Sequence, residues 1–365
     1  MSDDVFPILG IDHVEFFVGN ASQAANYYKH VFGFHQSAYS GLETGNRQRV
    51  SRVMEQGNIR YVLTGALTPE DEVAEHVRLH GDGVKTVALR VPDAEAAYRH
   101  AIDAGAPSVA EPEVSEDEHG KVVLASIGAY GDTVHKLVQR EDYSGPFLPG
   151  FVGTEATPDR SVGLVSIDHI VANVELGKMN HWAEYYEKVM GFANLVHFRD
   201  DQISTDYTAL MSKVMWDGVG RVKLPINEPA PGKRKSQIDE YLEFYRGPGV
   251  QHLALRTDDI LKTVAALHER GVEFLRVPDT YYEEVRERFA DLRDEVDIDA
   301  LAELSILADR DDEGYLLQIF TKPLMDRPTV FFEIIQRHGS RGFGLGNFKA
   351  LFEAIEREQE ARGTL

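Results

Sequence analysis

The sequence predicts an α+β protein of tandem paired βαβββ modules that form two open β-barrels, with a C-terminal lid helix. Three observations carry this expectation: an internal near-repeat, strand and helix signals in the same order in both halves, and a helical apolar stripe after a glycine-rich stretch. Gly10-Ile11-Asp12-His13-Val14, Tyr27-Tyr28 and Gly33-Phe34 reappear as Ser166-Ile167-Asp168-His169-Ile170, Tyr185-Tyr186 and Gly191-Phe192. Gly83 to Arg90 reappears as Gly249 to Arg256, and Thr133 to Arg140 as Thr329 to Arg337 with one extra residue.

The elements follow in order. Residues 10–18 read as a strand, and Ser22 opens a helical stretch through Tyr27 and Tyr28 that stops at Gly33. Asp93 is placed to cap a second helix ending at Gly105, and Asp258 to cap its counterpart ending at Gly271. Short strands rich in Val, Ile and Phe follow each, so the modules should curl around a cup. Asp142 to Ser161 interrupts the repeat with Pro146, Pro149, Pro158 and several glycines and reads as a connection. The expected division is 1–145, a linker at 146–161, and 162–365. Gly342, Gly344 and Gly346 read as a flexible hinge, after which Asn347 should cap a last helix. There Phe348, Leu351, Phe352 and Ile355 share one face.

Composition narrows the partners. A chain of 365 residues with no cysteine depends on neither disulfides nor thiolate chemistry, which suits a reducing, cytoplasmic setting. The acidic Met1-Ser2-Asp3-Asp4 lacks the character of a signal peptide, and no apolar run approaches the ~18 residues of a membrane span. A formal charge of -22 disfavours nucleic acid and anionic membranes. Lys233-Arg234-Lys235 therefore reads as a solvated loop. A homo-oligomeric assembly is expected.

Superimposing the repeats isolates the chemistry. The first half presents His13, Thr86 and Lys136 where the second presents His169, His252 and Glu333. Two imidazoles and one carboxylate on three strands are the ligand set of a facial-triad Fe(II) site with open positions. An ammonium cannot ligate a cation, so the first half should bind no metal. Taken singly, such histidines are usually surface or core residues; the unequal repeat is what singles these out.

Strand alternation then fills the cup. If Glu333 points inward, so do Phe331 and Ile335, while Phe332 and Ile334 point out. Gln318 pairs with Phe320 on one face, Pro225 with Asn227, and His169 with Val171 and Asn173. Gln251, beside His252, should face away unless its strand is bulged. A metal, aromatic walls and a few amides suit a small aromatic ligand with a polar tip.

Several ordered motifs add to this reading: Leu224-Pro225-Ile226-Asn227-Glu228-Pro229, Lys235-Ser236-Gln237-Ile238, Gly249-Val250-Gln251-His252 and Leu317-Gln318-Ile319-Phe320-Thr321. Phe331-Phe332-Glu333-Ile334-Ile335-Gln336 and Gly342-Phe343-Gly344-Leu345-Gly346-Asn347-Phe348 complete the set. Together they resemble the 4-hydroxyphenylpyruvate dioxygenase family of the vicinal-oxygen-chelate superfamily, along nearly the whole chain. The resemblance implies that His169, His252 and Glu333 bind Fe(II), that Phe331, Phe348 and Phe352 wall the substrate ring, and that Ser212, Asn227, Gln237, Gln251 and Gln318 form a polar network around it. It further implies that a small aromatic 2-oxo acid and O2 are the partners. Oxidative decarboxylation, ring hydroxylation and side-chain migration would yield homogentisate and CO2, as in tyrosine catabolism. Two alternatives are a hydroxymandelate synthase, a group resembling this chain but with a smaller aliphatic residue in place of Phe320, and a non-catalytic ligand-sequestering module of the same fold.

Overall fold

Each repeat begins with a strand that occupies the middle of its own sheet and is largely buried along its length. The computed structural model describes residues 6–155, 159–198, 209–292 and 294–365. In the first half, β1 (Gly10–Phe17), α1 (Ala21–His30), β2 (His35–Ser40), β3 (Arg49–Gln56) and β4 (Ile59–Ala66) make one βαβββ module. After α2 (Glu72–His80), the second module is β5 (Gly83–Arg90), α3 (Ala94–Asp103), β6 (Ser108–Asp117), β7 (Gly120–Gly128) and β8 (Val134–Gln139). A short β9 (Val152–Gly153) follows. The second half repeats the plan with β10 (Leu164–Asn173), α4 (Met179–Met190), β11 (Ala193–Phe198), β12 (Ala209–Trp216) and β13 (Lys223–Ala230). Beyond α5 (Gln237–Tyr245) come β14 (Gly249–Thr257), α6 (Ile260–Glu269), α7 (Asp279–Arg288), α8 (Ile298–Glu303), β15 (Leu307–Asp311), β16 (Gly314–Phe320), β17 (Phe331–His338) and α9 (Phe348–Arg362).

Among the described residues, the strands order as β6-β7-β8-β5-β1-β4-β3-β2-β9 and β11-β12-β13-β10-β14-β17-β16-β15. The two modules of each half join through an antiparallel central pair, β1 with β5 and β10 with β14. Parallel neighbours flank it, β4 and β8 in the first half, β13 and β17 in the second. The result is two curled half-barrels, as the repeat predicts. The registers confirm the superposition: Thr86 lies opposite Val134 and Ala88 opposite Lys136, as His252 lies opposite Phe331 and Ala254 opposite Glu333.

The halves are held face to face by the outward side of β17. Phe332 is fully buried against the rings of Phe32, at 5.2 Å, and Tyr61, at 6.0 Å. His135 and the Tyr186 hydroxyl, 2.8 Å apart, and the Tyr185 hydroxyl, which donates to the Gly128 carbonyl, tie α4 to the first sheet. Truncating Phe332 to Ala would cost about 3–5 kcal/mol, the range for a fully buried aromatic.

Several local expectations are corrected. The first helix starts at Ala21 and is capped by Asn20, whose side chain accepts from the Gln23 amide, so Ser22 lies inside it. Asp259 rather than Asp258 caps α6. Two helices, α7 and α8, stand between α6 and β15, where strands were expected directly. Their polarity masks the signal, since only one narrow face of α7, carrying Tyr281, Tyr282 and Val285, is buried. Asn347 occupies the N-cap position of α9 as expected, but its side chain makes no capping hydrogen bond; its Oδ1 accepts from the Tyr281 hydroxyl at 2.7 Å instead. The stretch read as a connection pairs β9 with the edge of β2 and buries Phe147 and Leu148.

Candidate metal centre and substrate cavity

Three strands bring the predicted ligands to one point. Nε2 of His169, on β10, lies 3.2 Å from Oε2 of Glu333, on β17, and Nε2 of His252, on β14, lies 3.4 Å from the same oxygen. Two ligands of one ion with bonds of about 2.0–2.2 Å stand roughly 3 Å apart, so these spacings fit a shared metal. All three side chains are buried.

Each imidazole is oriented from behind. Nδ1 of His169 stands 2.8 Å from Oδ1 of Asp168, and Nδ1 of His252 stands 2.9 Å from Oε1 of Gln251. Carboxylate and amide oxygens accept only, so Nδ1 carries the proton on each ring and Nε2 is free to ligate. Arg337 grips both Asp168 oxygens at 2.8 Å, and Lys223 adds a contact at 3.1 Å. Burial would raise the Asp168 carboxyl, but these partners hold it well below the usual carboxylate range. Glu333 behaves likewise: burial opposes ionisation, yet the adjacent imidazoles bring it down to about 2. Burial pushes His169 down, but Glu333 and Asp168 outweigh it and the net shift is upward; His252 is pushed down.

Bulges make this geometry possible. The β10–β14 register skips Asp168 between Ile167 and His169, and skips Gln251 between Val250 and His252. Consecutive residues can therefore turn toward the same region, which strict alternation forbids. The same breaks occur at Asp12 and Lys85 in the first half. There, the Lys136 ammonium approaches Glu15 at 3.6 Å, Thr86 bonds to Glu15, and His13 bonds to Asp12, so the equivalent positions satisfy one another internally.

The His-His-Glu cluster opens into a cavity of about 80 Å³. His169, His252 and Glu333 lie on its wall together with Ser212, Pro225, Asn227, Gln237, Gln251, Phe320, Phe331, Phe348 and Phe352. Phe331 stacks on His252 at 4.8 Å and Phe320 meets the same ring edge-on at 6.0 Å. Gln318 is the exception. It is buried one layer away, under Gly344, with Oε1 lacking a partner. Asn173 and Ile335, expected on the inward face, are buried outside the cavity lining. Leu351 and Ile355 line the cavity from the predicted face of the last helix, while Leu210, Val214 and Phe343 are missed at the level of sequence. Phe343, edge-on to His169 at 5.0 Å, lay within a recognised motif; the aliphatic residues carry no signal that separates them from core.

The glycine-rich segment is pinned rather than loose. The Gly342 and Gly346 amides donate to Asp311 and Asp309, and Arg337 donates to the Gly342 carbonyl. Gly344 has φ +76°, and a Cβ there would stand 2.6 Å from Gln318 Oε1, so close approach as well as backbone freedom requires glycine.

Paired curled sheets with a buried His-His-Glu cluster able to hold a metal ion define a class of paired-module proteins. Residues 10–132 and 166–319 match the Glyoxalase/Bleomycin resistance protein/Dioxygenase superfamily. A 4-hydroxyphenylpyruvate dioxygenase of Dictyostelium discoideum is 52% identical over 98% of this chain and 100% of its own length. One from Yarrowia lipolytica is 49% identical over 98% and 93%. A solved mutant of 4-hydroxymandelate synthase from Streptomyces coelicolor superposes with TM-score 0.86 at 34% identity, covering 97% of this chain and 99% of that one. The chain belongs to the 4-hydroxyphenylpyruvate dioxygenase family.

Proposed function

We propose that this chain converts 4-hydroxyphenylpyruvate and O2 to homogentisate and CO2, with Fe(II) held by His169, His252 and Glu333. The observation that carries the reading is the convergence of two Nε2 atoms on one Glu333 oxygen at 3.2 and 3.4 Å, each ring oriented through Nδ1. Bound there, iron would supply chelation of the 2-oxo acid and activation of O2. The protein contributes position and exclusion of water. Phe331 and Phe320 bracket the space next to the metal, and Phe348 and Phe352, 6.3 Å apart on α9, cover it from the other side. Ser212, Asn227 and Gln237 offer hydrogen bonds to the polar end of the ring, Gln251 holds His252, and Gln318 supports the wall at Gly344. Residues 162–365 form the catalytic unit, 1–145 a partner module that lacks the equivalent ligand trio, and 146–161 the connection.

A hydroxymandelate synthase reading is kept in view by the structural likeness to one such enzyme. Phe320 in the cavity wall favours ring chemistry over the benzylic carbon, because its bulk leaves less room beside His252. No helix among the described residues is long and apolar enough to cross a membrane. A product assay with 4-hydroxyphenylpyruvate, together with iron content, tests the proposal. Homogentisate formation that is lost with the iron in His169→Ala, His252→Ala and Glu333→Ala, but kept in His13→Ala, is expected. Hydroxymandelate as the main product, or iron retained by Glu333→Ala, would overturn it.

A further inference from the structure

A second group of ligand-type side chains converges outside the cavity. His76 and His80 lie one turn apart on α2, and Asp132 lies in the turn between β7 and β8. Nδ1 of His76 is 3.1 Å and Nε2 of His80 is 3.4 Å from Oδ2 of Asp132. These separations nearly repeat the 3.2 and 3.4 Å of the His169-His252-Glu333 trio. They also match the roughly 3.4 Å between ligand atoms around a tetrahedral ion with bonds of about 2.0–2.1 Å. Both histidines are buried.

Hydrogen bonding restricts what can lie between them. Nδ1 of His80 faces the Tyr245 carbonyl, which can only accept, so that nitrogen carries the proton. In the neutral ring, Nε2 then aims a lone pair at a carboxylate oxygen 3.4 Å away. Two lone pairs so placed repel unless a proton or a cation stands between them. Oδ1 of Asp132 is buried without a hydrogen-bond partner, while every polar contact of the carboxylate falls on Oδ2. Burial pushes the His76 imidazole toward its neutral, ligating form. Two histidines at i and i+4 on one helix face, completed by a carboxylate from another element, is a geometry that zinc accepts.

We propose that His76, His80 and Asp132 form a second divalent-metal site, suited to Zn2+, with a fourth position left to water. It would fasten α2 to the β7–β8 turn beneath Tyr245 of the other half, whose ring stacks on His80 at 4.4 Å. Lys85 sets its strength. The ammonium lies 3.4 Å from Oδ2 and donates to the Asp132 carbonyl at 2.7 Å, so it competes for the carboxylate that the ion needs.

The test is a Co2+ titration of the metal-stripped, full-length protein followed by visible absorption, since four-coordinate cobalt absorbs more strongly than six-coordinate. Wild type should take up two equivalents. The His169→Ala/Glu333→Ala double variant should retain one, with a four-coordinate spectrum, and adding His76→Asn should remove it. Lys85→Met should tighten this equivalent by about tenfold through loss of the competing charge, a readout that survives if His76→Asn fails to fold. A double variant that binds no cobalt would overturn the proposal and leave a protonated His80 bridging to Asp132. So would binding that neither His76→Asn nor Lys85→Met alters.

Discussion

Nδ1 of His169 stands 2.8 Å from Oδ1 of Asp168, in a carboxylate that Arg337 grips through both oxygens. One residue thus sets the tautomer of a metal ligand and joins it to β17, the strand that also carries Glu333. Asp168→Asn would keep the shape but remove the charge that Arg337 and Lys223 answer. Iron affinity should fall about 10–100-fold, as for other partners that orient a ligating histidine. Equilibrium dialysis against a graded chelator measures this. Affinity equal to wild type would show that Gln251 and the ligands suffice alone.

Phe320 meets the His252 ring at 6.0 Å and Phe331 at 6.3 Å, narrowing the cavity beside the metal. Phe320→Ile should divert part of the product from homogentisate to hydroxymandelate. Liquid chromatography of the reaction mixture reads the ratio. Homogentisate as sole product would mean that Phe320 does not steer the reaction.

The far end of α9 is latched to α5. Arg362 donates to both oxygens of the buried Glu240 carboxylate, at 3.0 and 2.9 Å, and α5 carries Gln237 into the cavity that Phe348 and Phe352 cover. Arg362 is partly exposed but Glu240 is buried, so removing the guanidinium alone would strand a buried carboxylate. If α9 acts as a lid, the double variant Arg362→Ala/Glu240→Gln, which opens the latch without stranding a buried charge, should raise KM about fivefold and increase the O2 consumed per product, with little change in melting temperature. A lowered melting temperature with unchanged coupling of O2 to product would instead mark the helix as a structural tail.

Asp12 gives the acid behaviour of the first half. Burial would raise its carboxyl, but His13, Arg140 and Arg60 hold it down at about 2. The folded value lies below the unfolded one, so its stabilisation is complete above about pH 4 and is lost as pH falls toward 2. Asp12→Asn should cost about 2 kcal/mol at neutral pH and flatten the stability profile between pH 4 and pH 2. Denaturant titrations across that window check both. An unchanged acid limb would mean that other carboxylates govern it.

The sequence by itself determined the duplicated plan and the cup, and singled out the candidate ligand trio. Each rests on patterns that survive without coordinates: strand alternation, helix periodicity, and two copies of which only one has side chains able to ligate. Lys136 opposite Glu333 in the superimposed halves is enough to say where a metal does not go. Parity sets Phe331 beside Glu333 and i, i+4 spacing sets Phe348 and Phe352 on one helix face, while a substrate-walling role for them is what the family resemblance implies.

Only the tertiary structure decided the rest. Gln251 faces the cavity because a bulge breaks the alternation that would turn it away, and a bulge depends on both strands of a pair. Gln318 obeys parity yet falls outside the cavity lining, since Gly344 passes close over it. Asp309, Asp311 and Arg337 pin the glycines that looked like a free hinge, through contacts spanning up to 37 residues. Asp168 gains its meaning from Arg337, which is 169 positions away. Such pairings join residues distant in sequence, and local periodicity has no access to them until the chain has closed into its sheets.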